Sequence, residues 1–296
     1  MSDPAVDQSE AAFQQHKNTS GISPEEIQSY LVKPAYKHKP VHHNRLAGKS
    51  AVVTGSGNGI SRAVALMFAR EGAKVYGCDI DVKASEEVVK IAKDEGLTFA
   101  SMHPCDISDP KAAEKLMADA AKAHGGIDIL VNGAAWGSFG WIEEMELEAW
   151  NRTLTGEVTS VFVSTKAAWP YLKASGAGSI VNFASANAHE SYKPLPALAH
   201  CAGKGGVLAM TRQLAAEGGK YNIRANTISP CLTVTAATRF PIENIPGFAS
   251  GFLEKAMIRR LGWPEDAGWL AIFLASEESS WITATDINLD SGSTKW

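Results

Sequence analysis

Apolar residues in this chain fall in short, nearly unbroken runs, separated by longer stretches where they recur every three or four positions. The runs are 50–54 (SAVVT), 74–78 (KVYGC), 98–103 (TFASMH), 127–132 (IDILVN), 179–183 (SIVNF) and 222–228 (NIRANTI), with 285–289 (TDINL) as a seventh. Between them, 62–71, 83–95, 110–124 and 205–219 carry the spacing of amphipathic helices. Strands that do not alternate apolar with polar need cover on both faces. The alternation of strand and helix therefore predicts one α/β domain, a single doubly wound parallel sheet with helices on both sides.

Residues 1–45 break this pattern. They are polar, with a short helix predicted from Ser23, where Ser-Pro-Glu-Glu offers an N-cap, a proline at the first helical position and early acids. KPAYKHKPVHHNR follows. His38, His42 and His43 could be imagined as metal ligands, but a solvated arm packed along a neighbouring surface is the simpler reading, and no metal is expected. The chain is thus divided into an N-terminal arm, 1–45, and a domain, 46–296.

Composition narrows the function classes. Hydrophobic residues make up 45% and charged residues 20% of the chain, ordinary for a globular protein, and the net charge of −4 gives no reason to bind nucleic acid or anionic lipid. Cys78, Cys105, Cys201 and Cys231 form no CxxC pair and read as reduced thiols. No stretch approaches the ~18 apolar residues of a membrane span, and the polar N-terminus is unlike a signal peptide. A cytoplasmic location with no membrane partner is expected.

The first strand runs into Thr54-Gly55-Ser56-Gly57-Asn58-Gly59-Ile60-Ser61 and then a helix. Glycines between strand and helix let backbone N–H groups approach a pyrophosphate at the helix N-terminus. Asp79 closes the second strand, 20 residues beyond Gly59. A carboxylate there suits a ribose 2′-hydroxyl and repels a 2′-phosphate, so NAD is the expected cofactor rather than NADP.

With these features the chain resembles the short-chain dehydrogenase/reductase family from Leu46 onward, and the resemblance implies a Rossmann-type fold. TGSGNGIS is similar to that family's TGxxxGIG, with Ser61 in place of the last glycine. Cys105-Asp106-Ile107 resembles its adenine-contacting segment, and Asn132-Gly133-Ala134-Ala135 its NNAG element. Pro230-Cys231-Leu232-Thr233-Val234-Thr235 resembles the segment whose threonine holds the nicotinamide amide, and Asp290-Ser291-Gly292 the C-terminal DGG. The resemblance assigns Gly55, Asn58, Gly59, Ile60, Asp79, Asp106, Ile107, Asn132, Gly133, Lys204, Pro230, Thr233 and Thr235 to the cofactor. It also implies a homodimer or homotetramer through the helices around 150–174 and 203–219.

The family's chemical centre is Asn, Ser, Tyr and Lys. Ser185 and Lys204 stand at two of these positions; the tyrosine position, four residues before the lysine, holds His200, and the asparagine position holds Glu157. On a helix His200 and Lys204 share one face. An imidazole titrates near working pH, so His200 could take the proton of an alcohol as hydride leaves, with Glu157 as relay or counter-charge. Two alternatives stay open. One is a redox-neutral lyase, epimerase or dehydratase using His200 and Glu157 beside a tightly held NAD. The other is a non-catalytic NAD-binding protein or an inactivated variant.

Trp136 and Trp141, after the NGAA turn, fall on the ligand-binding rim of the sheet, whereas Trp150, Trp169 and Trp269 read as core or interface. The loop 187–196 carries His189, Glu190 and Tyr192; His189 or Tyr192 could line the pocket or stand in for the missing tyrosine. Residues 238–252, with three phenylalanines, read as a substrate lid. Together they predict a bulky, apolar or aromatic small-molecule substrate, most simply a secondary alcohol or ketone. No GxSxG surrounds Ser185, so a hydrolase elbow is not expected there.

Overall fold

Ser50, Ala51, Val52, Val53 and Thr54 are all buried, because the strand they form has helices on both sides. In the computed structural model, which describes residues 22–33, 42–192 and 195–295, this strand, β1, lies inside a seven-stranded sheet. The others are β2 (Lys74–Cys78), β3 (Phe99–Met102), β4 (Ile129–Asn132), β5 (Ser179–Phe183), β6 (Arg224–Pro230) and β7 (Asp286–Leu289). Their order is β3-β2-β1-β4-β5-β6-β7 and every pairing is parallel. The predicted 98–103, 127–132 and 222–228 runs shift by one or two residues at their ends; β6 runs on to Pro230.

Alternate residues of each strand feed two cores. Ala51, Val53, Ile129, Val131 and Val181 pack against α2 (Gly59–Arg70) and α10 (Pro264–Ala275). Val52, Leu130 and Ile180 pack against α4 (Pro110–His124) and α6 (Ser160–Ser175). Helix α3 (Val82–Asp94) adds a smaller cluster through Val88 and Ala92. The order of connection reverses between β1 and β4, which opens a crevice at the carboxyl ends of the strands.

Three further helical segments shape that crevice. Helix α5 (Leu147–Leu154) continues through one π-helical turn, Thr155–Thr159, into α6. Helix α7 (Leu198–Gly218) starts seven residues earlier than the 205–219 pattern implies, so it includes both His200 and Lys204. Helices α8 (Ala236–Asn244) and α9 (Ser250–Lys255) form the segment expected as a lid.

The predicted N-terminal helix is present as α1 (Pro24–Tyr30), with Ser23 Oγ accepting from Glu26 N at 3.1 Å. Ile22, Ile27 and Leu31, in and beside this helix, are buried with Val234 and with Ile242, Phe248 and Leu253 of the lid segment. His42 Nδ1 lies 3.1 Å from the buried Glu71 carboxylate; His38 falls outside the described residues. Among the described residues no group of His, Cys, Asp and Glu could hold a metal, and no helix is long and apolar enough to cross a membrane. All four cysteines are free.

Candidate active site

Ser185 follows β5 and lies in extended conformation (φ −162°, ψ 155°), where its Oγ accepts from Asn187 N at 3.2 Å. His200 and Lys204, one turn apart on α7, face the same end of β5. His200 Nε2 lies 3.3 Å from Ser185 Oγ, and Nδ1 lies 2.6 Å from Glu157 Oε1. Lys204 Nζ donates to the Phe183 carbonyl at 3.1 Å. Thus three side chains separated by 15 to 43 positions in sequence form one hydrogen-bonded line from carboxylate through imidazole to hydroxyl.

The π turn sets Glu157 in this line. One extra residue per turn rotates the helix and directs a residue that an uninterrupted α-helix would aim elsewhere. Glu157 is only 3% exposed, and its second oxygen, Oε2, has no hydrogen-bond partner. Two glycines leave room for the carboxylate. A Cβ on Gly203 would overlap Oε2, and one on Gly137 would lie 3.2 Å from Oε1. Lys204 is 7% exposed, and burial holds its ammonium below the usual lysine range, opposed by the Glu157 carboxylate. The Phe139 ring covers His200, with centroids 5.7 Å apart.

Beside this line lies a cavity of about 650 Å³, bounded by Gly55, Asn58, Gly59, Ile60, Asp79, Asp106, Ile107, Gly133, Trp136 and Thr235 among others. Gly55 has φ +70°, and a Cβ there would meet Ala134 Cα at 2.7 Å, so only glycine fits this approach of the two loops. Asn58 N-caps α2 without any side-chain bond to the first turn, which leaves backbone N–H groups facing the cavity. Asp79 accepts from Gly57 N at 2.8 Å and from Asp81 N at 2.9 Å, fixing the carboxylate at the end of β2. A cradle of this shape and donor set fits a dinucleotide.

Other expected site residues are placed differently. Asn132 is buried and joins Asn182, Ser164 and Thr165 in a polar network rather than bounding the cavity. Thr233 Oγ1 donates to Cys231 O; Thr235, by contrast, bounds the cavity and also caps α8 through Thr238. His189 is turned away from His200: Nε2 lies 2.8 Å from Asp286 Oδ2 and 3.5 Å from Ser229 Oγ. Tyr192 is likewise not at the line; its hydroxyl donates to Gly247 O at 3.3 Å and its ring packs on Phe252. Trp136 bounds the cofactor-shaped cavity, with the Arg152 guanidinium 3.8 Å over its ring. Trp141 is half-buried just beyond the loop that carries Phe139. Phe139, Arg152 and the glycine pair at 137 and 203 were not singled out from sequence. Gly203 had one visible sign, its place in the glycine-rich run 203–206 just after His200; Gly137 had none.

A family model described as Enoyl-(Acyl carrier protein) reductase matches residues 55–294. Dehydrogenase/reductase SDR family member 4 of Homo sapiens is 35% identical over 249 residues, 83% of this chain and 88% of that protein. D-threitol dehydrogenase of Mycolicibacterium smegmatis is 33% identical over 254 residues, 84% of this chain and 94% of that protein. Among solved structures, 7α-hydroxysteroid dehydrogenase complexed with NADH and 7-oxo glycochenodeoxycholic acid superposes with a TM-score of 0.80 at 29% identity, covering 86% of this chain and 98% of that one. The sheet order, the glycine cradle and these matches agree: the chain is an oxidoreductase of the short-chain dehydrogenase/reductase family.

Proposed function

We propose that the protein interconverts a bulky secondary alcohol and its ketone with NAD(H), using His200 as the acid/base. The observation that carries this reading is the imidazole held between Glu157 Oε1 (2.6 Å) and Ser185 Oγ (3.3 Å). With Glu157 accepting from Nδ1–H, the Nε2 lone pair faces Ser185 and the space before it. Ser185 Oγ can then hold the substrate oxygen while Nε2 takes its proton, or returns it in the ketone direction. NAD held in the cradle would supply the hydride acceptor for the alcohol carbon, and NADH the donor in the ketone direction.

Lys204 stands one helical turn from His200 with its ammonium buried, suited to the ribose hydroxyls of the nicotinamide half. Asp79 supports NAD over NADP by its charge at the end of β2. Phe139 over the imidazole, with the aromatic lid, supports a bulky substrate. The space kept by Gly137 and Gly203 for a buried carboxylate favours working chemistry over a protein that only binds the nucleotide.

The test follows nicotinamide absorbance with NAD, then NADP, against a panel of alicyclic and aromatic secondary alcohols. His200→Gln should lose roughly 10²–10⁴-fold in kcat while still binding NADH, the range for removing a positioned acid/base. Full turnover by that variant would overturn the role given to His200.

A further inference from the structure

Nothing in alcohol oxidation requires a serine to be activated, yet Ser185 has the surroundings of an activated one. Carboxylate, imidazole and hydroxyl are arranged in series, Glu157 Oε1 to His200 Nδ1 at 2.6 Å and His200 Nε2 to Ser185 Oγ at 3.3 Å. This is the relation that makes serine a nucleophile in acyl-transfer enzymes of unrelated folds, and it is recognised by geometry rather than by position in sequence. Ser185 also stands where such a nucleophile has to be. It follows a central parallel strand, at the mouth of the crevice, on the edge of a one-turn helix, Ala186–Ala188. A GxSxG elbow presents its hydroxyl by a strained turn; here relaxed extended backbone presents Oγ to the base. The Asn187 amide donates to Oγ at 3.2 Å, which stabilises negative charge on that oxygen.

We propose a second, cofactor-independent activity at this site: acyl transfer from activated carboxylic esters, aryl esters in particular, to Ser185 and then to water. His200 Nε2 takes the Ser185 hydroxyl proton as Oγ bonds to the ester carbonyl carbon and the C=O pair moves onto oxygen. Collapse breaks the bond to the aryloxide, which leaves with the proton from Nε2. Water, deprotonated by the same nitrogen, then cleaves the acyl-serine to carboxylic acid and free Ser185. No electrons leave or enter the system. Glu157 acts throughout by holding the Nδ1–H tautomer, and Phe139 offers an apolar wall to the aryl group.

The site is shared with the dehydrogenase reading but the chemistry is not, so the two can fail separately. Full-length protein without nucleotide would be treated with p-nitrophenyl acetate and, separately, with a fluorophosphonate probe followed by peptide mass spectrometry. A burst of up to one equivalent of p-nitrophenolate and a phosphonate on the Ser185 peptide are expected. Ser185→Ala should abolish both, His200→Gln should slow labelling roughly 10³-fold, and Glu157→Gln roughly 10²-fold or more. NADH titration by fluorescence shows that each variant is folded. An unlabelled Ser185 in protein that binds NADH, or labelling at the same rate in His200→Gln, would overturn the proposal. Nicotinamide turnover in that same protein would leave the dehydrogenase reading standing, and labelling without nicotinamide turnover would do the reverse.

Discussion

Burying Glu157 opposes folding. A carboxylate taken out of water costs several kcal/mol unless paired, and only one of its two oxygens has a partner. Its retention therefore points to chemistry rather than stability. Asp79 makes a different compromise, using its oxygens on two loop amides while keeping its charge at the cavity edge. Asp79→Ala should weaken NAD binding at least several-fold and reduce discrimination against NADP, measured by fluorescence titration with both. Tyr192 gives a stability test. Burial pushes its phenol up to about 12, whereas an unfolded tyrosine ionises near 10. Between those values the unfolded chain sheds the proton first, so this contribution is intact below about pH 10 and is lost as pH rises toward 12. Tyr192→Phe should flatten that alkaline loss in pH-dependent thermal unfolding, at a cost of about 1 kcal/mol at neutral pH for the bond to Gly247. Ser185, His200 and Lys204 are legible from motif spacing because the backbone fixes them locally. The directions of His189 and Tyr192 are not, since those depend on partners 97 and 55 positions away.

Among the elements, α7 shows how packing overrides local preference. Gly205 and Gly206 read as a helix start, yet Gly206 sits where a Cβ would touch Val158 at 3.4 Å, and the helix runs straight through. The tight approach of α7 to the π turn is made at Gly203, where a Cβ would come within 3.2 Å of Glu157 Cβ. The π turn itself leaves no mark in hydrophobic spacing, because its signal is a hydrogen-bond shift rather than a change of composition. Gly203→Ala isolates the geometry from the chemistry. Alanine favours a helix by about 1 kcal/mol, while its methyl would displace the Glu157 carboxylate. The expected result is little change in thermal stability or NADH affinity but a kcat at least tenfold lower.

For the whole molecule, the parallel sheet with its two helical layers was readable because seven apolar runs could be covered only by helices on both faces, whereas the order of its strands was not. The docking of α1 onto the lid was not, since a seven-residue helix carries too few apolar positions to name its partner. Ile27→Asp would place an unpaired charge in the cluster with Val234, Ile242 and Leu253. It should destabilise that region by about 2–4 kcal/mol, read as a lower thermal midpoint and a raised KM for the bulky substrate with NADH binding unchanged. The same contact has a consequence in time. Helix α1 leaves the ribosome about 200 residues before the segment it covers, and contacts of such sequence separation form late because the loop between them must first close. Ile22, Ile27 and Leu31 therefore have no covering surface until residues 234–253 have been made. A helix made early finds its place only when the segment it packs on has followed.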